Sequence, residues 1–229
     1  MDLVLKYRAE KAYLILAAIF LSALVASNLI FQKFFHWSPF GLYTFELSVG
    51  ILPYPITFIV TDVVSEIYGR RRANQMVFLG FIASVFTLGI IVLANVAPAT
   101  DWSPINNQTF SQVFGFTYIA VGASMAAYLI AQLVDVQMFH FWKKLTNGKH
   151  LWLRNNASTF TSQLVDTLVI LLILCSFDVI AWERFSSLLI NGFLFKVLVA
   201  MTDTPIVYFV VWLFRNQFKI KENTEYLDY

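Results

Sequence analysis

Long apolar runs separated by short polar connections dominate this chain. Their positions predict six membrane-crossing helices, at about residues 12–31, 42–68, 75–97, 113–142, 157–181 and 186–214. Each run supplies the roughly 20 predominantly apolar residues that a helix needs to cross the hydrocarbon core of a bilayer. The pattern therefore predicts an all-α membrane protein in which residues 1–229 form a single integral membrane domain.

Two of the predicted crossings contain proline at membrane depth. Pro53 and Pro55 fall in the second run, and Pro205 falls in the last. Because proline lacks an amide donor and clashes with the preceding turn, we expect an interruption near Pro53 followed by a helix from about Pro55 to Tyr68. A second interruption is predicted at Pro205. At each site the alternative is a simple kink that neighbouring helices repair.

Basic residues are divided unevenly between the two ends of the predicted helices. When alternate connections are assigned to opposite sides, thirteen of the 16 Lys and Arg residues fall on one side. The other side holds only Lys33 and Arg184, and Lys196 lies inside the last helix. By the positive-inside rule the basic side is cytoplasmic, so both termini are predicted to be cytoplasmic. We expect the first apolar run to be a mature helix rather than a cleaved signal peptide.

The composition supports a membrane protein and narrows the chemistry. Hydrophobic residues make up 59% of the chain and charged residues only 13%, against about 25% charged residues in average proteins. The single cysteine, Cys175, excludes an intrachain disulfide and a CxxC motif. His36, His140 and His150 lie in predicted loops or at a helix end, so we expect no metal site and no cofactor. The HExxH and GxSxG motifs of hydrolases are absent, which argues against an enzyme.

A repeated tetrapeptide, Gln-Leu-Val-Asp, places polar side chains inside two consecutive predicted helices. Counted from the cytoplasmic helix ends at about 1.5 Å per residue, Asp135 lies about 12 Å deep, Gln163 about 13 Å, Gln132 about 16 Å and Asp166 about 18 Å. In an antiparallel hairpin each Gln would be level with the Asp of the other copy. Within each copy the Gln and Asp share one helix face. The repeat therefore predicts one site near the bilayer midplane, formed by two helices.

Further charged residues lie at similar depth. Asp203 is about 18 Å and Asp62 about 12 Å from the cytoplasmic end of their helices, and Glu66 follows Asp62 by one turn. Lys196 shares a face with Asp203 but is two turns away, too far for a direct ion pair. Such residues can simply hydrogen-bond neighbouring helices. Because carboxylates in hydrocarbon are costly, the set as a whole favours a substrate or ion path.

Several short motifs follow one another between about residues 12 and 214. They are Ser27-Asn28, Pro55-x-x-Phe58-x-x-x-Asp62-x-x-x-Glu66-x-Tyr68-Gly69, Gln132-x-x-Asp135-x-x-x-Phe139, Arg154-Asn155 with Ser158-Thr159, Gln163-x-x-Asp166-Thr167, and Lys196 ahead of Thr204-Pro205. The ordered set resembles the queuosine precursor transporters, also called vitamin uptake transporters. This resemblance implies six helices and a fold like that of the substrate-binding subunits of energy-coupling-factor transporters.

The same resemblance implies a function. It suggests a multi-pass protein of the bacterial inner (cytoplasmic) membrane that imports 7-deazaguanine bases for the queuosine modification of tRNA. The expected substrates are 7-cyano-7-deazaguanine and 7-aminomethyl-7-deazaguanine. The expected partners are this small molecule and the lipid bilayer, with no nucleic acid and with a homo-oligomer left open.

The predicted site chemistry fits such a base. One carboxylate can accept from its ring N–H and exocyclic amine together, an amide or an ammonium group can donate to its carbonyl, and aromatic side chains can stack on its ring. We predict that Asp135 or Asp166 binds the edge of the base and that Asn28, Gln132 and Gln163 orient it. A second group is predicted to line the path, to gate it or to carry a coupling proton: Asp62, Glu66, Lys196 and Asp203.

Three other functions compete with this interpretation. The chain could be a substrate-binding subunit for another vitamin or nucleobase-like solute that depends on separate ATPase partners. It could be an intramembrane enzyme, or a structural protein, although a structural protein would not need acids at the midplane. The energy source is open at this point, because the same acids suit proton symport and facilitated diffusion.

Overall fold

The computed structural model describes residues 3–30, 33–41, 44–115, 118–178 and 180–220. Its helices are α1 (Leu3–Ile30), α2 (Tyr54–Ile67), α3 (Gly69–Val96), α4 (Asn107–Phe110), α5 (Tyr118–Leu145), α6 (Leu151–Ser176) and α7 (Phe185–Phe218). Two strands, β1 (Phe34–Trp37) and β2 (Phe45–Ser48), form one antiparallel hairpin.

The helices have the length and composition of membrane-spanning segments. Within the described residues, five segments are long and apolar enough to cross a bilayer: Leu3–Ile30, Val49–Ile67, Gly69–Val96, Leu151–Ser176 and Trp182–Phe218. The chain is therefore an all-α membrane protein apart from the short hairpin. The remaining predicted crossing, residues 113–142, corresponds in position to α5, and six crossings in total stay a prediction.

Helix α2 lies at the centre of the bundle although many of its side chains are polar. It packs against α1, α3, α5 and α7, and every residue from Val60 to Ile67 is buried. The polar side chains within this helix are at most 2% exposed, and they are Thr57, Thr61, Asp62, Ser65 and Glu66. A helix that buries so much polarity needs polar partners on its neighbours.

Helices α5 and α6 pack side by side along their length and are joined by a five-residue turn. Asn147, Gly148 and His150 all have positive φ in this turn, which reverses the chain tightly. The hairpin predicted for the two copies of the tetrapeptide is therefore confirmed. Helix α6 also packs against α7, so the site is formed by more than the two helices that carry the repeat.

The start of the second predicted crossing was wrong. Residues 44–53 are not α-helical: β2 and a 3₁₀ turn at Val49–Ile51 precede α2, which begins at Tyr54. The interruption expected near Pro53 is confirmed, since Pro55 lies in the first turn of α2, where its missing N–H leaves no helical hydrogen bond unmade. The β-hairpin of β1 and β2 packs on α7 through the rings of Trp37 and Phe45, whose centroids lie 5.5 and 5.3 Å from that of Phe195.

The interruption predicted at Pro205 was also wrong. Helix α7 runs without a break from Phe185 to Phe218 with Pro205 inside it, so the alternative of a continuous helix holds. Asn156 of α6 donates a hydrogen bond to the Thr204 hydroxyl at 2.8 Å beside this proline. Such a cross-helix contact is one way in which a neighbouring helix supports a proline within a membrane helix.

Candidate functional site

A buried ion pair joins α6 to α7 in the interior of the bundle. Lys196 Nζ bonds to Asp166 Oδ2, and the two side chains are 15% and 8% exposed. The ammonium group also lies 5.2 Å from the centre of the Tyr54 ring, whose hydroxyl is close enough to Asp166 to feel its charge. The pair is thus enclosed by α2, α6 and α7, where its electrostatic interactions are little screened.

Lys196 also borders a small cavity of about 20 Å³. Such a volume is about enough for a single water molecule. Asp203 borders the same cavity, so the two charged residues of α7 that are two turns apart face one space. The lining residues are Ile51, Tyr54, Pro55, Phe58, Thr159, Gln163, Phe195, Lys196, Val199, Ala200 and Asp203.

Tyr54 and Phe58 of α2 and Gln163 of α6 border this cavity, and Tyr128 and Gln132 of α5 lie next to Tyr54. The ring of Tyr54 lies 5.2 Å from that of Phe58 and 5.6 Å from that of Tyr128, centroid to centroid. Gln132, fully buried, donates a hydrogen bond from Nε2 to the Tyr128 hydroxyl at 2.7 Å. In the described part of the chain, Oε1 of both Gln132 and Gln163 lacks a hydrogen-bond partner. These two carbonyl groups are free to accept from a bound molecule.

Two carboxylates form a second layer, nearer to the C-terminal end of α2. Asp62 of α2 and Asp135 of α5 lie within hydrogen-bonding distance of each other, and they are 2% and 0% exposed. Ser162 donates to Asp135 Oδ1 at 2.9 Å, and the Ser158 hydroxyl is a second donor to Asp135. Asp203 lies close enough for its charge to act on Asp62. Asp203 therefore lies next to both the cavity and the carboxylate pair.

A third layer consists of one buried anion and three cations. Glu66 Oε1 lies 2.6 Å from Arg215 and 3.3 Å from Arg154, and Glu66 Oε2 lies 3.8 Å from Lys143. Arg154 is only 2% exposed and its guanidinium carbon lies 5.6 Å from the centre of the Phe139 ring. These four charged residues, here called the inner cluster, connect α2, α5, α6 and α7.

A wide cavity of about 750 Å³ begins on the far side of the inner cluster. Arginine, lysine and histidine side chains border it, so this end of the bundle is its basic end. The lining residues are Glu66, Gly148, Lys149, His150, Leu151, Arg154, Tyr208, Val211, Trp212, Arg215, Asn216 and Ile220. Along α2, α6 and α7, the inner cluster therefore lies between the residues of the small cavity and the large cavity.

Eight of the nine predicted site residues lie in these three layers, and one does not. Asn28 lies between α1, α3 and α5, where it borders a separate cavity together with Ser84 and Met125. The described residues include no group of three or more His, Cys, Asp or Glu side chains positioned to hold a metal ion. The eight are Asp62, Glu66, Gln132, Asp135, Gln163, Asp166, Lys196 and Asp203.

Sequence reasoning did not select several residues that complete the site. Tyr54, Tyr128 and Phe195 could not be distinguished from the many other aromatic residues of the chain. Arg154 and Arg215 lie near predicted helix ends, where a basic residue is expected whether or not its side chain enters the bundle. A signal did exist for Arg154, which stands in one of the ordered motifs beside Asn155.

Comparison with known proteins points to one family. A family model described as "Putative vitamin uptake transporter" matches residues 48–210. This range contains Tyr54, Lys196 and every acid of the three layers, whereas Asn28 lies outside it.

Curated relatives cover most of the chain. A protein of Bacillus subtilis (strain 168) named "Probable queuosine precursor transporter" is 27% identical over 168 residues, which are 73% of this chain and 72% of that protein. The "Queuosine precursor transporter" of Escherichia coli (strain K12) is 26% identical over 193 residues, which are 83% of this chain and 82% of that protein. No solved structure matches the chain.

Proposed function

Since the chain belongs to the vitamin uptake transporter family, we propose that it imports 7-deazaguanine precursors of queuosine, namely 7-cyano-7-deazaguanine and 7-aminomethyl-7-deazaguanine. It is a transporter and a multi-pass protein of the bacterial inner membrane. The names of the curated relatives support this substrate class. The uneven distribution of Lys and Arg supports the further proposal of six crossings with both termini in the cytoplasm. A fold like that of energy-coupling-factor substrate-binding subunits belongs to the same proposal.

The observation that carries the proposal is the buried pair of Lys196 and Asp166. The ammonium group presents donors, and the carboxylate beside it presents two acceptor oxygens. A 7-deazaguanine edge has the complementary order: a carbonyl oxygen, a ring N–H and an exocyclic amine. In the proposed complex Lys196 donates to the carbonyl, and Asp166 accepts from the N–H and the amine as charge-assisted hydrogen bonds.

The remaining walls of the cavity suit a flat, mostly apolar base. Tyr54, Phe58 and Phe195 all border the cavity and offer faces or edges for stacking. Gln163 borders it too, with a carbonyl oxygen that lacks a partner within the described residues. Lys196 and Asp203 are two turns apart, about 10 Å of helix rise, which is comparable with the length of a base that carries a 7-substituent. We assign Gln163 an orienting role and place Asp203 at the far end of the bound base.

Binding requires the cavity to open. Its volume of about 20 Å³ is far below the roughly 300 Å³ and more of typical ligand pockets. In this proposal the β-hairpin, which packs on Phe195, closes the cavity on one side, and the inner cluster closes it on the other. We propose that these two closures open alternately, which would expose the site first to the outside and then to the cytoplasm.

Uptake of labelled 7-cyano-7-deazaguanine tests the proposal. Cells that lack their own route for the base would express the wild type, Asp166→Asn or Lys196→Met, with Asp101→Asn and Lys144→Met as controls at exposed positions. We expect uptake in the wild type and both controls, with loss of at least about tenfold in the two site variants, since an unpaired buried donor or acceptor costs about a factor of ten or more. Membrane levels of each variant are measured by a fluorescent tag.

Two results would contradict the proposal. Full uptake by both site variants would remove Lys196 and Asp166 from the binding site. Equal competition by guanine and by unrelated vitamins in the wild type would remove 7-deazaguanine bases as the substrate class. A requirement for ATPase partners would instead support a substrate-binding subunit.

A further inference from the structure

Two buried carboxyl groups near the cavity point to a proton gradient as the energy source for import. We propose that Asp62 and Asp135 together form a proton-binding site, and that the proton bound there enters the cell with the substrate. This inference rests on the proposed import function, because it assigns the driving ion to the same pathway. It adds a second ligand, a proton, at a place separate from the cavity that borders Lys196.

The geometry of the pair requires a bound proton. The two carboxyl groups are within hydrogen-bonding distance, although neither carries a donor when ionised. Both are buried, so their mutual repulsion is hardly screened by water or salt. Two carboxylates this close cannot both stay ionised, and one proton held between them turns the repulsion into a hydrogen bond.

Neighbouring groups do not neutralise the pair in another way. Among the described residues, no Lys or Arg lies within ion-pair distance of Asp62 or Asp135. Ser162 donates to Asp135 and not to Asp62, and a serine hydroxyl neutralises no charge. Asp62 Oδ1 and Asp135 Oδ2 are both buried without a hydrogen-bond partner among the described residues. An orphaned acceptor on a fully buried acid is a position that a proton satisfies directly.

The cations that could have paired with these acids are engaged elsewhere. Lys196 bonds to Asp166. The cations of the inner cluster face Glu66, which lies one turn from Asp62 on the same face of α2. The charged residues of α1 and α3 lie in the ranges 6–11 and 70–72, at the basic end of the bundle.

The remaining ionisable groups near the pair are acidic. Asp203 of α7 and Glu66 of α2 both act on Asp62 with negative charge. Tyr54 and Tyr128 are the ionisable groups on the cavity side, and both feel the charge of Asp135. None of these neighbours supplies a positive charge that could neutralise the pair.

Asp203 provides the link between proton and substrate. It borders the cavity, and its charge acts on Asp62. A base that occupies the cavity and hydrogen-bonds to Asp203 changes the electrostatic potential at the pair, and therefore its affinity for the proton. By thermodynamic linkage, a proton on the pair then changes the affinity for the base by the same factor.

Purified full-length protein allows the proton site to be tested apart from transport. Infrared spectra at neutral pH should show a protonated carboxyl band in the wild type and in Asp101→Asn, an exposed control. The band should be absent from Asp62→Asn and from Asp135→Asn, because each of these variants leaves a single acid that can ionise. A wild-type spectrum without this band would overturn the inference directly.

Proteoliposomes test the coupling with labelled 7-cyano-7-deazaguanine as the probe. With one proton per base, each pH unit of inward gradient should raise the accumulation ratio about tenfold, and a pH-sensitive dye should report proton entry when the base is added. Asp62→Asn should still exchange internal for external base but should lose accumulation against a gradient. Asp135→Asn is the second variant if Asp62→Asn does not fold.

The outcomes separate the two proposals. The infrared band without any exchange of the base would refute the import function and leave the proton site standing. Exchange by the wild type with accumulation that ignores the pH gradient, or that follows a sodium gradient, would overturn proton coupling.

Discussion

Replacing Glu66 with glutamine should destabilise the protein strongly, because it removes the one anion that faces three cations in the inner cluster. Glu66 and Arg154 are each 2% exposed, and their closest atoms lie 3.3 Å apart. Removing one partner of a buried ion pair costs about 3–5 kcal/mol, because the other charge stays unpaired in a poorly solvated position. At about 2–4 °C per kcal/mol, the expected drop in Tm is roughly 6–20 °C.

The chain offers a matched control for this substitution. Glu10 forms an ion pair with Arg72 at 3.0 Å, with side chains 40% and 28% exposed. Because an exposed pair contributes only about 0–1 kcal/mol, Glu10→Gln should lower the Tm by no more than about 4 °C. The assay is the fraction of detergent-solubilised protein that still elutes as a monodisperse peak after heating.

A double substitution separates charge from packing. Glu66→Gln combined with Arg154→Met removes both members of one buried pair, so the double variant should be more stable than the sum of the two single losses predicts. Additive losses would show that the two side chains do not interact energetically. A Tm for Glu66→Gln no lower than that for Glu10→Gln would refute the reasoning as a whole.

Two further predictions concern the packing of α3 and the closure beside the hairpin. An added Cβ at Gly80 would lie 2.7 Å from the Phe20 ring, whereas one at Gly89 would meet nothing within 4 Å. Gly80→Ala should therefore lower the free energy of unfolding by about 1–3 kcal/mol, and Gly89→Ala should leave it unchanged. Phe195→Ala should lower both Tm and uptake of the base by removing the ring that holds the hairpin on α7; Leu198→Ala, on a half-exposed position of the same helix, should change uptake little.

Depth arithmetic along single helices located the layer of the site but not its partners. Both copies of the tetrapeptide lie on helices that pack together, as the sequence predicts. The sequence predicts only that each Gln is level with the opposite Asp, and the contacts in the structure involve other residues: Asp166 pairs with Lys196, Asp135 contacts Asp62, and Gln132 bonds to Tyr128. Those partners lie on α2, on α7 and on another turn of α5 itself. Which side chains meet depends on how each helix is rotated about its axis, and a one-dimensional pattern does not contain that rotation.

Arg154 shows why the inner cluster was not predicted. A basic residue close to a helix end satisfies the positive-inside rule whether it faces water or protein. Its 2% exposure results from packing against Phe139 and Glu66, which are distant in sequence. The β-hairpin escaped prediction for a related reason: a short apolar run fits a strand or a buried helix equally well. In both cases the local sequence is compatible with two structures, and tertiary packing determines which of them forms.

The two closures of the cavity differ in chemistry, and this difference allows them to open independently. On the hairpin side the contacts are between aromatic rings, such as Trp37 and Phe195 at 5.5 Å, and they do not depend on charge. On the other side the inner cluster holds four helices together through Glu66. Its ion pairs weaken when water enters from the adjoining cavity of about 750 Å³. Hydration is therefore expected to loosen the inner closure while it leaves the aromatic contacts intact, and the proposed alternating access depends on such a difference.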